Sequence, residues 1–203
     1  METTTYNLTV NFITPILGSQ PTHAVASEFI AQKAGFELPE DEIETLPDAL
    51  ERGTTVFHRL PDGSPIFFDY YVRGMLKNAG DTFNGKINGI RAMKSKIEKY
   101  VFVVPRIIPI QKPKGMELAS WADITDYLER PLRAETARGP RVALARSEMI
   151  PEGCWFKCGI EVFPSEITEN VLTELLDYGY YNGISQWRGG GYGRFTYQLV
   201  KES

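Results

Sequence analysis

Cysteine and histidine are scarce in this chain, two of each in 203 residues. That scarcity argues against a disulfide framework and against a zinc site built from Cys and His. Cys154 and Cys158 fall on what reads as a single strand, where four residues span roughly 13 Å, too far to bridge. They are expected to be free core thiols in a reducing compartment, and no metal site or cofactor is expected. No apolar run approaches the length of a membrane span, and the polar start Glu2-Thr3-Thr4-Thr5 is unlike a signal peptide. A soluble, cytoplasmic protein is expected. Internal repeats and low-complexity tracts are absent. The dinucleotide fingerprint Gly-x-Gly-x-x-Gly does not occur between a strand and a helix, the context it requires.

What remains is an ordinary globular composition, 42% hydrophobic and 24% charged, at a length that fits one domain with insertions. The net charge is −4, but the charges are unevenly spread. Residues 1–70 carry 3 basic and 11 acidic side chains, residues 71–147 carry 15 and 7, and residues 148–203 carry 4 and 8. A basic middle third sits inside an acidic protein. It reads either as a track for a polyanion or as a solvated lysine face balancing the acidic ends.

Near the C-terminus, Gly183, Gly189, Gly190, Gly191 and Gly193 share a short stretch with Trp187, Arg188, Tyr192 and Arg194. Glycine permits positive φ and the close approach of a backbone or a phosphate. Arginine pairs with phosphate, and Trp or Tyr stacks on a base. The same residues also read as a tight helix-to-strand connection with its aromatics in the core.

Tyr6, Leu8, Val10 and Phe12 alternate with polar residues, which predicts a half-buried first strand ended by Ile16-Leu17-Gly18-Ser19. Residues 24–34 read as a helix, followed by an acidic stretch over 37–51. Pro61-Asp62-Gly63-Ser64 between apolar runs predicts a hairpin. A helix capped by Asp69 is expected over 70–79, stopped by Gly80, with Arg73 and Lys77 on one face. A second, basic helix is expected over 86–99, with Lys94 and Lys96 outward. The prolines at 105 and 109 mark the run 100–110 as edge or irregular strand. Residues 111–140 show little periodicity and read as a long excursion. Strands are predicted over 141–147 and 154–163, a helix capped by Ser165 and stopped by Gly179, and a last strand to residue 200. With 20–65 as an insertion carrying the hairpin, the frame is 6–14, 70–79, 141–147, 154–163, 166–178 and 192–200. That is the β-α-β-β-α-β order of an α+β, ferredoxin-like (RRM-like) sandwich.

Phe68-Asp69-Tyr70-Tyr71-Val72-Arg73-Gly74-Met75-Leu76-Lys77 resembles the first-helix motif of the RAMP superfamily, the repeat-associated RNA-binding proteins of CRISPR systems. It lacks the Pro-Gly-Ser that usually opens that motif. Arg138-Gly139-Pro140-Arg141 through Pro151-Glu152-Gly153-Cys154-Trp155-Phe156 is similar to the family's strand–Pro–x–Gly–x–x–Phe hairpin, and Gly183 to Phe195 resembles its glycine-rich loop. The resemblance is strongest to the backbone subunit of effector complexes, and it implies a single domain. Such a subunit binds single-stranded guide RNA through its phosphates and assembles with copies of itself or other effector subunits. Residues 111–140, with Arg130, Arg133 and Arg138, would form its thumb. By this reading RNA meets Arg73, Lys77, Lys94, Lys96, Arg138, Arg141, Trp187, Arg188 and Tyr192, and the glycine loop adds backbone donors. Some relatives cleave target RNA with an Asp after the first strand; Leu17-Gly18-Ser19-Gln20-Pro21 has none, so a non-catalytic binder is expected. Two alternatives stand beside it: a metal-independent endoribonuclease using His23 as acid and base, and a virus-encoded mimic or inhibitor acting through protein contacts, which would suit the net negative charge.

Overall fold

A computed structural model describes residues 3–22, 54–136 and 139–202, with only the backbone described over 132–136 and 139–144. The central unit is a four-stranded antiparallel sheet of β1 (Thr4–Phe12), β7 (Val101–Val104), β11 (Trp155–Val162) and β12 (Phe195–Lys201), in the order β12-β1-β11-β7. Helix α1 (Asp69–Thr82) connects β1 towards β7, with α2 (Met93–Tyr100) following it, and α4 (Glu169–Asn182) connects β11 to β12. Both crossovers skip one strand, which makes this the ferredoxin-like α+β arrangement expected from the sequence.

The alternation in β1 puts Tyr6, Leu8, Val10 and Phe12 on one face, where all four are buried. Phe156, Cys158, Ile160 and Val162 of β11 join them. Val72, Met75, Leu76 and Ala79 of α1 cover this face, as do Val171, Leu172, Leu175 and Leu176 of α4. The core is therefore one layer between the sheet and its helices. Both cysteines are free and buried, and burial pushes each thiol up to about 12.

The second strand of the frame differs from the expectation. It is Val101–Val104, which pairs with Gly159–Val162, and not 141–147. Its edge position agrees with the prolines that follow it. Residues 139–150 form β10, which pairs along its length with β9 (Asp126–Thr136) in a long antiparallel hairpin. So part of the expected irregular excursion is strand. The run before it holds only the short helix α3 (Trp121–Ile124), capped by Ser120 through a reciprocal bond with Asp123. Strand β10 also pairs with β2 (Ile16–Leu17) and, in parallel, with β4 (Thr54–Val56); β4 in turn pairs with β3 (Gln20–Pro21). The expected hairpin forms between β5 (His58–Arg59) and β6 (Pro65–Phe68), and β6 also pairs with β8 (Ile107–Pro109).

Five helix ends also differ. Asp69 is the first residue of α1 rather than its cap, and its carboxylate lies 3.7 Å from Arg106. Gly80 lies inside α1, where a Cβ would meet Ile97 Cδ1 at 2.5 Å. Gly179 lies inside α4, which begins after Thr168 and ends at Gly183 with φ of 67°. The predicted basic helix starts at Met93 rather than 86, after a run of turns. The expected helix at 24–34 and the acidic stretch at 37–51 lie outside the described residues.

Candidate nucleic-acid interface

The sheet's connectivity brings three segments to the end where β1 finishes and β12 begins. The turn after β2 supplies Ser19 and Gln20, the first turns of α1 supply Tyr70, Tyr71 and Gly74, and the segment after α4 supplies Ile184, Ser185 and Arg188. Together they line an open cleft of about 330 Å³.

Tyr71 is held from two sides. Its hydroxyl lies 2.5 Å from Ser19 Oγ and accepts a bond of 3.0 Å from Gln20 Nε2. Its ring stacks on Phe67 at 4.7 Å and on Tyr70 at 4.9 Å. Tyr70 also stacks on Phe68 at 5.4 Å, whose ring meets the edge of His58 and the Arg106 guanidinium. Tyr70 itself is 46% exposed. Burial, and then Tyr71, push the Tyr70 hydroxyl above its ordinary value. A neutral, exposed aromatic ring on a rigid stack is a platform for a planar ligand.

The glycine segment forms the tight helix-to-strand connection read from the sequence, but its tryptophan is not in the core. Gly183 and Gly193 are structural: Ile184 N donates to Gly193 O at 2.9 Å, and Gly193 N donates to Pro15 O at 2.9 Å. A Cβ on Gly193 would sit 2.0 Å from Ile184 O, and one on Gly183 2.5 Å from Tyr192 O. Between them Trp187 leaves the core and is 41% exposed. Its ring stacks on Tyr192 at 5.2 Å, with Gly190 close enough that a Cβ would meet the indole at 2.7 Å. Gly191 has φ of 86° beside Arg194, and Gly189 faces open space.

Arg130 of β9 reaches this loop. It is 7% exposed, lies 4.4 Å over the Trp187 ring and donates to Ser147 Oγ at 3.3 Å. Burial pulls its pKa down, while nearby Tyr192 raises it. Ser147 in turn joins Thr55 and Gln186 in a small polar network. The long hairpin is thereby fastened to the glycine segment through a stacked cation.

The other predicted cations are elsewhere. Arg73 donates to the Glu98 carbonyl and lies 5.2 Å over Phe102, and Lys77 pairs with the Glu98 carboxylate at 2.9 Å. Lys94 lies 3.8 Å from Asp81, and Lys96 pairs with Glu166. None of these four lines the cleft, whereas Arg188 does and makes no ion pair among the described residues. Arg133 and Arg141 are placed in β9 and β10 by backbone alone, and Arg138 and His23 lie outside the described residues. Sequence reasoning did not single out Tyr70, Ser19 or Gln20. The available signal was the density of aromatics over residues 67–71. Among the described residues no group of His, Cys, Asp or Glu is arranged to hold a metal, and no helix is long and apolar enough to cross a membrane.

No family model matches the sequence, and no curated relative matches it. The fold is similar to that of a chain in the cryo-EM structure of type III-B Cmr-beta bound to cognate target RNA, with a TM-score of 0.51 at 12% identity. The likeness covers 98% of this chain and 61% of that one. At that identity what the two chains share is a fold, and this chain spans about three fifths of the other's length.

Proposed function

We propose that this chain is a CRISPR-type RNA-binding subunit, built on one RAMP-like domain, that contacts guide-RNA phosphates and assembles with copies of itself or with other effector subunits. One observation carries the proposal: the cleft where the turn after β2, the start of α1 and the glycine segment converge, with an exposed stacked tyrosine on one wall and, on the other, Arg188, which has no ion pair among the described residues. A base lies on Tyr70, and the adjoining phosphate meets Arg188 and the loop amides. The β9–β10 hairpin acts as the thumb, and residues 20–65 are an insertion in the sequence of the domain. Arg73, Lys77, Lys94 and Lys96 contribute a weaker outer field. The carboxylate partners of the three lysines are largely exposed, and such pairs hold by only about 0–1 kcal/mol, so phosphate competes for them. The fold shared with a chain of an RNA-bound assembly supports this reading.

The test is fluorescence anisotropy with a labelled single-stranded RNA, repeated over a salt series. Tyr70→Ala is expected to weaken binding on the order of 10- to 100-fold, the scale of one lost base stack. Arg188→Glu is expected to weaken it and to flatten the salt dependence. Unchanged affinity in both variants would remove the cleft from the RNA path.

A second reading, a virus-encoded antagonist working through protein contacts, is favoured by the net charge of −4 and by the internal pairing of the α1 and α2 cations. Size-exclusion chromatography separates the two readings. Growth into larger species that depends on added RNA supports the subunit, and RNA-independent capture of an intact effector complex supports the antagonist.

A further inference from the structure

On the side of the molecule formed by α4 and β12 lies a groove of about 650 Å³, lined by Asp177, Tyr180, Tyr181, Phe195, Thr196 and Tyr197. Its chemistry is opposite to that of the cleft at Arg188. The lining contains one carboxylate and no base, and α4 as a whole carries Glu169, Glu174 and Asp177 with no Lys or Arg. The last turn of α4 also has no basic residue, so the helix itself supplies no cation to its negative end. Tyr180 and Tyr181 are 50% and 71% exposed and meet edge-to-face at 5.2 Å, which presents two aromatic rings to the groove. The Tyr197 hydroxyl, 2.8 Å from Asp177 Oδ1, holds that carboxylate in place on the groove wall. Beneath it runs β12, the end strand of the sheet, which among the described residues pairs only with β1. An end strand offers a row of backbone donors and acceptors to an added strand.

We propose that this groove takes an extended, arginine-bearing segment of a partner protein as a strand added to β12, with its guanidinium groups over Tyr180 and Tyr181 and against Asp177. Charge complementarity selects the occupant. A carboxylate beside a helix C-terminus repels phosphate, so RNA is disfavoured, and two exposed tyrosine faces accept a planar cation. The inference does not depend on the RNA-binding reading, because it uses none of the same side chains.

The test uses the full chain labelled with ¹⁵N and titrated with acetyl-(Arg-Val)₃-amide. The expected result is saturable shifts at Thr196, Tyr197, Tyr180 and Tyr181. An acidic (Glu-Val)₃ peptide should bind on the order of tenfold more weakly, and Tyr181→Ala and Asp177→Asn should each weaken the basic peptide several-fold, the scale of one cation–π or one partly exposed charge contact. Because Tyr181 is exposed, its replacement leaves the fold intact, which unchanged dispersion of the spectrum verifies. An (Arg-Val)₃ peptide N-methylated at alternate residues should lose binding. Equal affinity for the acidic peptide, indifference to both variants, or full binding by the methylated peptide would each overturn the proposal. So would single-stranded RNA shifting the same four residues.

Discussion

Among the described residues three glycines sit inside α-helices, and the same substitution is expected to act on them with different signs. In a helix interior Gly→Ala gains about 1 kcal/mol from backbone entropy and propensity. At Gly74 nothing lies within 4 Å of the added Cβ, so the gain is kept whole. At Gly179 the Cβ would lie 2.0 Å from Phe195 Cζ and 2.3 Å from Cε1. Phe195 cannot swing clear: it is 1% exposed and packs at 6.4 Å against Phe12, itself buried. Overpacking of that kind costs about 3 kcal/mol, so the net loss at Gly179 is about 2 kcal/mol. Gly80 is intermediate, because its nearest clash is the flexible end of Ile97 at 2.5 Å, but Lys94 N at 3.3 Å limits the relief. For a chain of this size 1 kcal/mol moves Tm by about 2–4 °C. Thermal unfolding followed by circular dichroism should therefore show Gly74→Ala raised by about 2–4 °C, Gly80→Ala near or slightly below the parent, and Gly179→Ala lowered by about 4–8 °C. Gly74 also borders the cleft at Arg188, so if RNA lies there as proposed the stabilised variant should bind RNA more weakly than the parent. A Gly179→Ala protein as stable as Gly74→Ala would refute the packing of α4 against β12.

Burial raises both cysteine thiols from their ordinary 9.0 to about 12. The unfolded chain loses these protons first, so the stabilisation is complete below pH 9 and is lost as pH rises towards about 12; a Cys154→Ala/Cys158→Ala variant should show a shallower alkaline decline in urea unfolding. Arg130→Ala removes the cation over Trp187 and should speed amide exchange across residues 186–193 without global unfolding, a result that unchanged exchange would contradict. Glu148 is 5% exposed, pairs with Arg59 and accepts from Phe57 N at 2.7 Å. Arg59→Ala leaves that carboxylate without its cation and should cost about 3 kcal/mol, read as a fall in the urea midpoint, whereas Arg59→Lys should recover part of it. Arg73→Glu combined with Lys77→Glu should reduce RNA affinity with little change in Tm, since the Glu98 carboxylate that pairs with Lys77 is largely solvated and Arg73 donates to a backbone carbonyl rather than to a buried charge.

The parts of this fold that could be read in the chain are those whose burial is set by local period. β1, β11 and the apolar stripe of α4 alternate or repeat cleanly because each has one wet face, and their buried residues are the ones the pattern selects. Pairing is another matter. Val101–Val104 and residues 141–147 are both short apolar runs near prolines, and the second alternates better. Which of them joins β11 is decided by the length of α1 and α2 and by the hairpin that engages β10 with β9, neither of which is a local property. The helix stops failed for a related reason. Glycine ends a helix when it takes positive φ, as Gly183 does, and fills a helix when a neighbour needs the space of its Cβ, as at Gly80 and Gly179.

The candidate site follows the same division. Charge was visible in the sequence, but its partners were not. The basic middle third contains Glu98 and Asp81 among its own residues and faces Glu166 from the last third, and together they engage most of the cations on α1 and α2. Among the described residues Arg188, in a part of the chain whose net charge is negative, is the cation that lines the cleft. Around the cleft aromatic residues carried more positional information than charged ones, because the rings over residues 67–71 pack on one another. Tyr71 satisfies the helical stripe, and Tyr70, one residue out of phase with it, is necessarily turned outward. A tyrosine placed out of phase, backed by two further rings and beside a glycine that leaves room at Gly74, is a more specific mark of a planar-ligand surface than any count of lysines.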